Sequence, residues 1–186
     1  GVPLLVDMLQ MAHQALRTAA IYTLASIAEP AVDALCQVLE EWGERVSYGE
    51  DAPDFDSEWI AMHDASYALG AMGAPAIEPL LKLLKSPFEW TRMNAAFALG
   101  EMDSEAADAV PALEAALKDE SHYVIRLAAN SLGAIGRDAP IESLSWLLTA
   151  DSPEWDEEKK WGWTVCNAVN VTAAMALARL GNRAAE

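Results

Sequence analysis

Positive charge is what this sequence most lacks. Lys and Arg number 12 against 29 Asp and Glu, a formal net charge of -17 over 186 residues. Phosphate binding needs clustered Lys and Arg, so the deficit argues against nucleic acid. It argues equally against an anionic membrane surface. It is compatible with a basic or neutral protein partner, and with plain solubility. Cysteine is scarce as well. Cys36 and Cys166 lie far apart with no pairing motif, and fit small core residues in a reducing compartment better than a disulfide framework. No uninterrupted apolar run approaches the ~18 residues that a membrane span needs, and the first residues show no signal-peptide pattern. The expected location is the cytoplasm. There is no glycine-rich phosphate loop, and no Ser-His-Asp or Cys-His arrangement can be read from spacing. No cofactor is expected. β-Branched residues are sparse among abundant alanine and leucine, which favours helix over strand.

What the sequence does have is an internal repeat. Tyr67-Ala68-Leu69-Gly70-Ala71-Met72-Gly73 returns as Phe97-Ala98-Leu99-Gly100-Glu101-Met102-Asp103, and again as Ser131-Leu132-Gly133-Ala134-Ile135-Gly136. Weaker copies surround Leu24 and Leu177. With the leucine as anchor, the copies fall at Leu24, Leu69, Leu99, Leu132 and Leu177, which describes a solenoid with a unit of roughly 30 residues and two insertions.

Each repeat has two halves. The first is an amphipathic helix of the type Ile77, Leu80, Leu81, Leu84, with proline near its start at Pro3, Pro30, Pro75, Pro111 and Pro140. The second is alanine-rich. In the third repeat it spans about Trp90 to Met102, with Arg92, Ala95, Ala96, Leu99 and Met102 on one face. Ser86, Pro87 and Glu89 read as its capping signal. Gly73, Gly136 and Gly181 read as left-handed helix ends. The expectation is one domain over residues 1–186, with helix pairs at about 1–28, 29–73, 74–103, 104–136 and 137–181. Acidic insertions fall at about 43–56, with Tyr48 and Phe55, and at about 150–161, with Trp155, between the two helices of their repeats. Insertions on one face of a repeat array often mark its working side.

The alternation of a Pro-x-Leu-Leu helix with the Arg92-to-Met102 pattern resembles HEAT repeats, and is most similar to the short variety named after phycobilisome lyases. Val124 to Gly136 is similar, with Arg126 shifted by one place. The resemblance covers nearly the whole chain. It implies an all-α, right-handed α-α superhelix of five helix pairs and, since such repeats serve many settings, little about function. Two enzymatic relatives bear on the chemistry. The resemblance to deoxyhypusine hydroxylase implies a di-iron site built from His-Glu pairs six residues before the anchor leucine. His63-Asp64 holds that place in the second repeat, with aspartate for glutamate. The other copies read Thr18-Ala19, Met93-Asn94, Arg126-Leu127 and Val171-Thr172, none of which can hold iron as a pair. Phycobilin lyases share the repeat, but nothing here signals chromophore attachment. An enzyme or lyase subunit with a cofactor near His63 remains the alternative, and a purely structural or oligomerisation segment is a third possibility.

At 100° per residue, positions -9, -5, -2 and +2 from the anchor form the outer stripe of each second helix. Partner-binding residues are expected there: Tyr22, Asp64, Tyr67, Trp90, Asn94, Phe97, Glu101, Tyr123, Asn130 and Met175. Aromatics and Met are enriched at interface hot spots. The other reading is that curvature packs these side chains against neighbouring repeats or the insertions. Trp42, Trp59, Trp90, Trp155, Trp161 and Trp163 lie in or beside the junctions between first and second helices. They read as covers for helix ends, or else as an aromatic–acidic ridge for a cationic ligand. Asp54, Asp56 and Glu58 lack the glycine and final glutamate of a calcium loop and suit a helix start, so no metal site is expected there. The expected role is a non-enzymatic scaffold that binds protein or peptide, basic or neutral.

Overall fold

A computed structural model describes residues 1–9, 13–27, 29–47, 55–136, 138–149 and 162–183, with backbone alone at 55–61, 149, 162–168 and 182–183. The insertion at 150–161 lies outside the described residues, as do Asp54 and the side chains of Asp56, Glu58, Trp59, Trp155, Trp161 and Trp163.

The fold is an all-α helical-repeat superhelix. The first helices are α1 (Val2–Leu9), α3 (Glu29–Ser47), α5 (Ala74–Leu83), α7 (Val110–Ala116) and α9 (Ile141–Thr149). The second helices are α2 (Gln14–Ile27), α4 (Phe55–Met72), α6 (Glu89–Glu101), α8 (His122–Ile135) and α10 (Gly162–Arg183). A 3-10 helix, Asp103–Ala109, precedes α7. Each first helix packs on its own second helix, and the second helices pack on one another in chain order as a continuous layer. The core lies between the layers. Leu24, Leu69, Leu99 and Leu132 are all fully buried, as are Ala20, Ala65, Ala95, Ala128 and Ala173 one turn before each anchor. A small residue at that place lets the two layers approach, and the leucine fills the gap beside it.

Gly70, Gly100 and Gly133 follow three of the anchors and set the approach between successive second helices. A Cβ on Gly133 would lie 2.7 Å from Cα of Ala176 in α10, and one on Gly70 would lie 2.7 Å from Cβ of Glu101 in α6. Beside Gly100, the Ser131 hydroxyl donates to the Ala96 carbonyl at 2.7 Å, which ties α8 to α6. Thr91 likewise donates to the Leu39 carbonyl at 2.9 Å and ties α6 to α3.

Three expectations change. The start of α6 is capped by Phe88 and not by Ser86, with no side-chain cap bond. Ser86 is buried in the preceding turn, where its hydroxyl accepts from the Phe88 amide and its carbonyl accepts from Arg92. Gly181 lies inside α10, whereas Gly73 (φ 68°) and Gly136 (φ 72°) follow the ends of α4 and α8 with positive φ. Residues 43–47 of the first insertion continue α3, a helix of 19 residues, and 55–56 begin α4, one of 18; residues 48–54 lie outside the described residues. Trp42 belongs to α3 and is buried in the core, which makes it a packing residue.

The place taken by Gly73 and Gly136 in their repeats is held by Asp103, which also has positive φ (48°). A β-carbon there costs about 1–2 kcal/mol, less for Asp than for most residues. Asp103→Gly is therefore expected to raise stability by about 0.5–1 kcal/mol, read as a higher urea midpoint at unchanged slope. An unchanged or lower midpoint would mean that the Asp103 side chain compensates its backbone.

Arg92 is a heavily bonded side chain at the centre of the array. It is 7% exposed. Its Nε and Nη2 donate to the two oxygens of Asp119, each at 2.8 Å, and Nη1 donates to the carbonyls of Ser86 and Pro87 at 2.9 and 3.1 Å. Asp119 also accepts from the Ser121 amide at 2.8 Å. The cluster joins α6 to the α5–α6 turn behind it and to the α7–α8 turn ahead of it. The hydrogen bonding that the guanidinium donates to Asp119 holds its pKa above its ordinary value.

Candidate partner-binding face

The second helices pack side by side in chain order, so their outward positions form one continuous face. Neighbours on it touch across each repeat boundary. Arg17 Nε donates to Asp64 at 2.9 Å, linking α2 to α4. The His63 ring packs on Phe97 with centroids 4.9 Å apart, linking α4 to α6. Trp90 stacks on Tyr123 at 5.8 Å and 25°, linking α6 to α8. Arg179 Nη1 donates to the Asn130 amide oxygen at 3.0 Å, linking α10 to α8.

These contacts sort the expected site residues into two groups. Tyr22 is 72% exposed, Tyr67 43%, Tyr123 40% and Met175 53%. Glu101 is exposed too, and Trp90 and Phe97 are half-buried with a ring face engaged by a neighbour. The polar members behave differently. Asn94 is buried, contrary to expectation: its Nδ2 donates to the Trp90 carbonyl, and its Oδ1 accepts from Ser66 at 3.2 Å. Position -5 of α6 faces α4 closely enough that a buried amide there must find partners on both sides. Asp64 and Asn130 are half-buried and spend hydrogen-bonding capacity on Arg17 and Arg179. The resulting surface is an aromatic and apolar row whose polar positions largely brace the helices.

Arg17 and His63 take part in this face, although neither stands on the four stripe positions. Their signal was faint. Arg17 and Arg92 both fall seven residues before their anchors, which marks a place for a long cation but not its direction.

The chemistry available is limited. Among the described residues, no three His, Cys, Asp or Glu side chains come together as metal ligands would. The His63 ring packs at a tilt on Phe97, and Asp64 accepts from Arg17. Burial, with Asp33 and Glu40 nearby, pushes the Cys36 thiol up to about 12, far from the reactive thiolate range. Burial pushes His122 below its ordinary pKa. No helix among the described residues is long and apolar enough to cross a membrane.

Comparison with known proteins places the chain among helical repeats. The family model for HEAT repeats matches residues 77–159, and that for the PBS lyase HEAT-like repeat matches residues 16–41 and 63–86. Deoxyhypusine hydroxylase-B of Oryza sativa subsp. japonica is 52% identical over 60 residues, which is 31% of this chain and 19% of that protein. The chain thus spans about a fifth of that relative's length. Among solved structures, a designed armadillo repeat protein in complex with the peptide (KR)4 is similar at 20% identity and TM-score 0.47, covering 95% of this chain and 80% of that one. A computationally designed armadillo repeat protein for modular peptide recognition is similar at 21% identity and TM-score 0.45, covering 94% and 80%.

Proposed function

Since the chain belongs to the HEAT-repeat family, with repeats of the PBS-lyase type, it is a helical-repeat scaffold, and we propose that it is a non-enzymatic module that binds a protein or peptide along the outer stripe of its second helices. The whole of residues 1–186 would act as one such unit of five helix pairs. One observation carries this reading: large side chains stand exposed on the outer stripe in successive repeats, at position -2 in Tyr22, Tyr67 and Met175 with Phe97 half-exposed, and at position -9 in Tyr123 with Trp90 half-exposed beside it. Isolated exposed apolar residues need no explanation, but a row across a continuous face does. Aromatics and Met supply much contact area on burial, which is why they dominate interface energies. A net charge of -17 favours a basic or neutral ligand.

The test uses peptides selected from a random display library against the immobilised chain. Tyr67→Ala combined with Tyr123→Ala is expected to weaken their binding at least tenfold, about 1.4 kcal/mol or more. Both residues are surface-exposed, so the fold should survive, and circular dichroism checks that it does. Selected peptides that bind the double variant as tightly as the parent would place the contact on another surface.

A second reading is favoured by the 60-residue match to deoxyhypusine hydroxylase-B, which would make the chain part of an iron-dependent enzyme. The described residues do not fit a di-iron centre. His63-Asp64 is a single pair engaged by Phe97 and Arg17, and the equivalent places in the other repeats hold no second pair. Elemental analysis of purified protein supplied with ferrous iron separates the two. Stoichiometric iron would sink the scaffold reading.

A further inference from the structure

The net charge of -17 is not shared between the two layers. The second helices hold the acids Asp56, Glu58, Asp64, Glu89 and Glu101 and the bases Arg17, Arg92, Arg126, Arg179 and Arg183, which cancel. The whole excess therefore lies in the first helices, the connections and the insertions. In α3, Glu29, Asp33, Glu40, Glu41 and Glu44 stand against Arg45 alone. The 3-10 helix before α7 has Asp103, Glu105 and Asp108 and no base. All eight of these acids are exposed.

The charges of the second-helix layer are also largely engaged within the protein. Arg92 is 7% exposed and bonded to Asp119. Arg17 donates to Asp64, and Arg179 donates to Asn130. Among the described residues of the outer stripe, Glu101 is the one exposed carboxylate. Positions -2 and -9, which supply the exposed rings, hold no charged residue in any repeat. The pairs His63–Phe97 and Trp90–Tyr123 carry these rings across both boundaries of α6. Each of α4, α6 and α8 has a second helix on both sides. The exposure of Tyr67 and Tyr123 on them therefore owes nothing to the ends of the array.

We propose that the ligand of this face is a peptide segment of low net charge that meets it through aliphatic and aromatic side chains, an inference that rests on the binding role given to the outer stripe. A segment rich in Lys and Arg would be drawn by the net charge. On this face, however, its cations would lose water without enough free carboxylates to replace it. An acidic segment would be repelled by the rest of the chain. An uncharged apolar segment meets neither cost, and it matches the aromatic row in chemistry. The charge distribution thus narrows the ligand from basic or neutral to neutral. Contacts between apolar surfaces carry no charge for salt to screen, so the affinity should be nearly independent of ionic strength.

The peptides selected by display against the immobilised chain test this. Each is expected to present apolar side chains without an excess of Lys and Arg. Its affinity should fall at least about tenfold for the Tyr67→Ala, Tyr123→Ala double variant. It should fall less than about threefold as salt rises from about 0.05 to 0.5 M. Peptides that need both tyrosines but are rich in Lys and Arg, or that lose more than threefold over that range, would overturn the uncharged ligand and leave the face standing. A library that yields no binder, or peptides that hold the double variant as tightly as the parent, would remove the face and the proposal with it.

Discussion

Arg92→Ala is expected to cost about 3–5 kcal/mol of stability, the range found when one partner of a buried ion pair is removed. The side chain makes four short hydrogen bonds, two to Asp119 and two to the carbonyls of Ser86 and Pro87. Truncation leaves a half-buried carboxylate whose remaining described partner is the Ser121 amide, and strips both carbonyls of this donor. Leaving buried acceptors unsatisfied costs more than the bonds themselves contribute. The loss also falls on a boundary, since Asp119 belongs to the turn that positions α8. Because a solenoid is stabilised repeat by repeat, the urea transition of the variant is expected to move down and to broaden or split, with α8 and α10 released first. Arg92→Lys keeps the charge but loses the planar fork, so it should fall between parent and alanine variant. A change below about 1 kcal/mol for Arg92→Ala would show the cluster to be no stronger than an exposed pair.

Gly133→Val is the second large effect. A Cβ at this position would stand 2.7 Å from both Cα and Cβ of Ala176, and a backbone atom cannot move aside as a flexible side chain does. The substitution must push α8 and α10 apart, and the boundary between the last two repeats opens with them. Overpacking of this kind costs about 1–3 kcal/mol, occasionally more, and a branched residue at a helix crossing belongs at the upper end. Gly181→Ala is the control, because Gly181 lies within α10 with nothing near its Cβ. It should stabilise by about 0.5–1 kcal/mol through helix propensity alone. Opposite signs at two glycines of one repeat array, measured by thermal unfolding, would separate close approach from propensity. Equal effects would show the α8–α10 contact to be looser than its geometry indicates.

Most of the architecture could be read before any coordinates. The anchors Leu69, Leu99 and Leu132, the alanines one turn before them and the glycines one place after them repeat at a fixed period, and that period is what the packing uses. The early prolines fell at helix starts for the same reason. The capping signal at Ser86 was misleading because its residue types are equally at home in the turn that holds Arg92. The 45-residue spacing between Leu24 and Leu69 marked an insertion but not its form, since spacing alone does not say how much of the extra length continues the flanking helices, as residues 43–47 of α3 do.

The binding face was legible only in part. The stripe at -9, -5, -2 and +2 follows from helical geometry within one repeat, and its exposed aromatics at Tyr67 and Tyr123 were found that way. Asn94 was placed on the surface by the same geometry, and the neighbouring α4 buries it. Asp64 and Asn130 were similarly claimed by Arg17 and Arg179 from adjacent repeats. The sequence by itself determined the helices, their pairing and their inward faces, because those depend on residues three, four and seven apart. Only the tertiary structure decided which outward residues stay free. That depends on how closely each second helix approaches the next, between residues 28 to 49 apart in the pairs that meet here, where no local period carries the information.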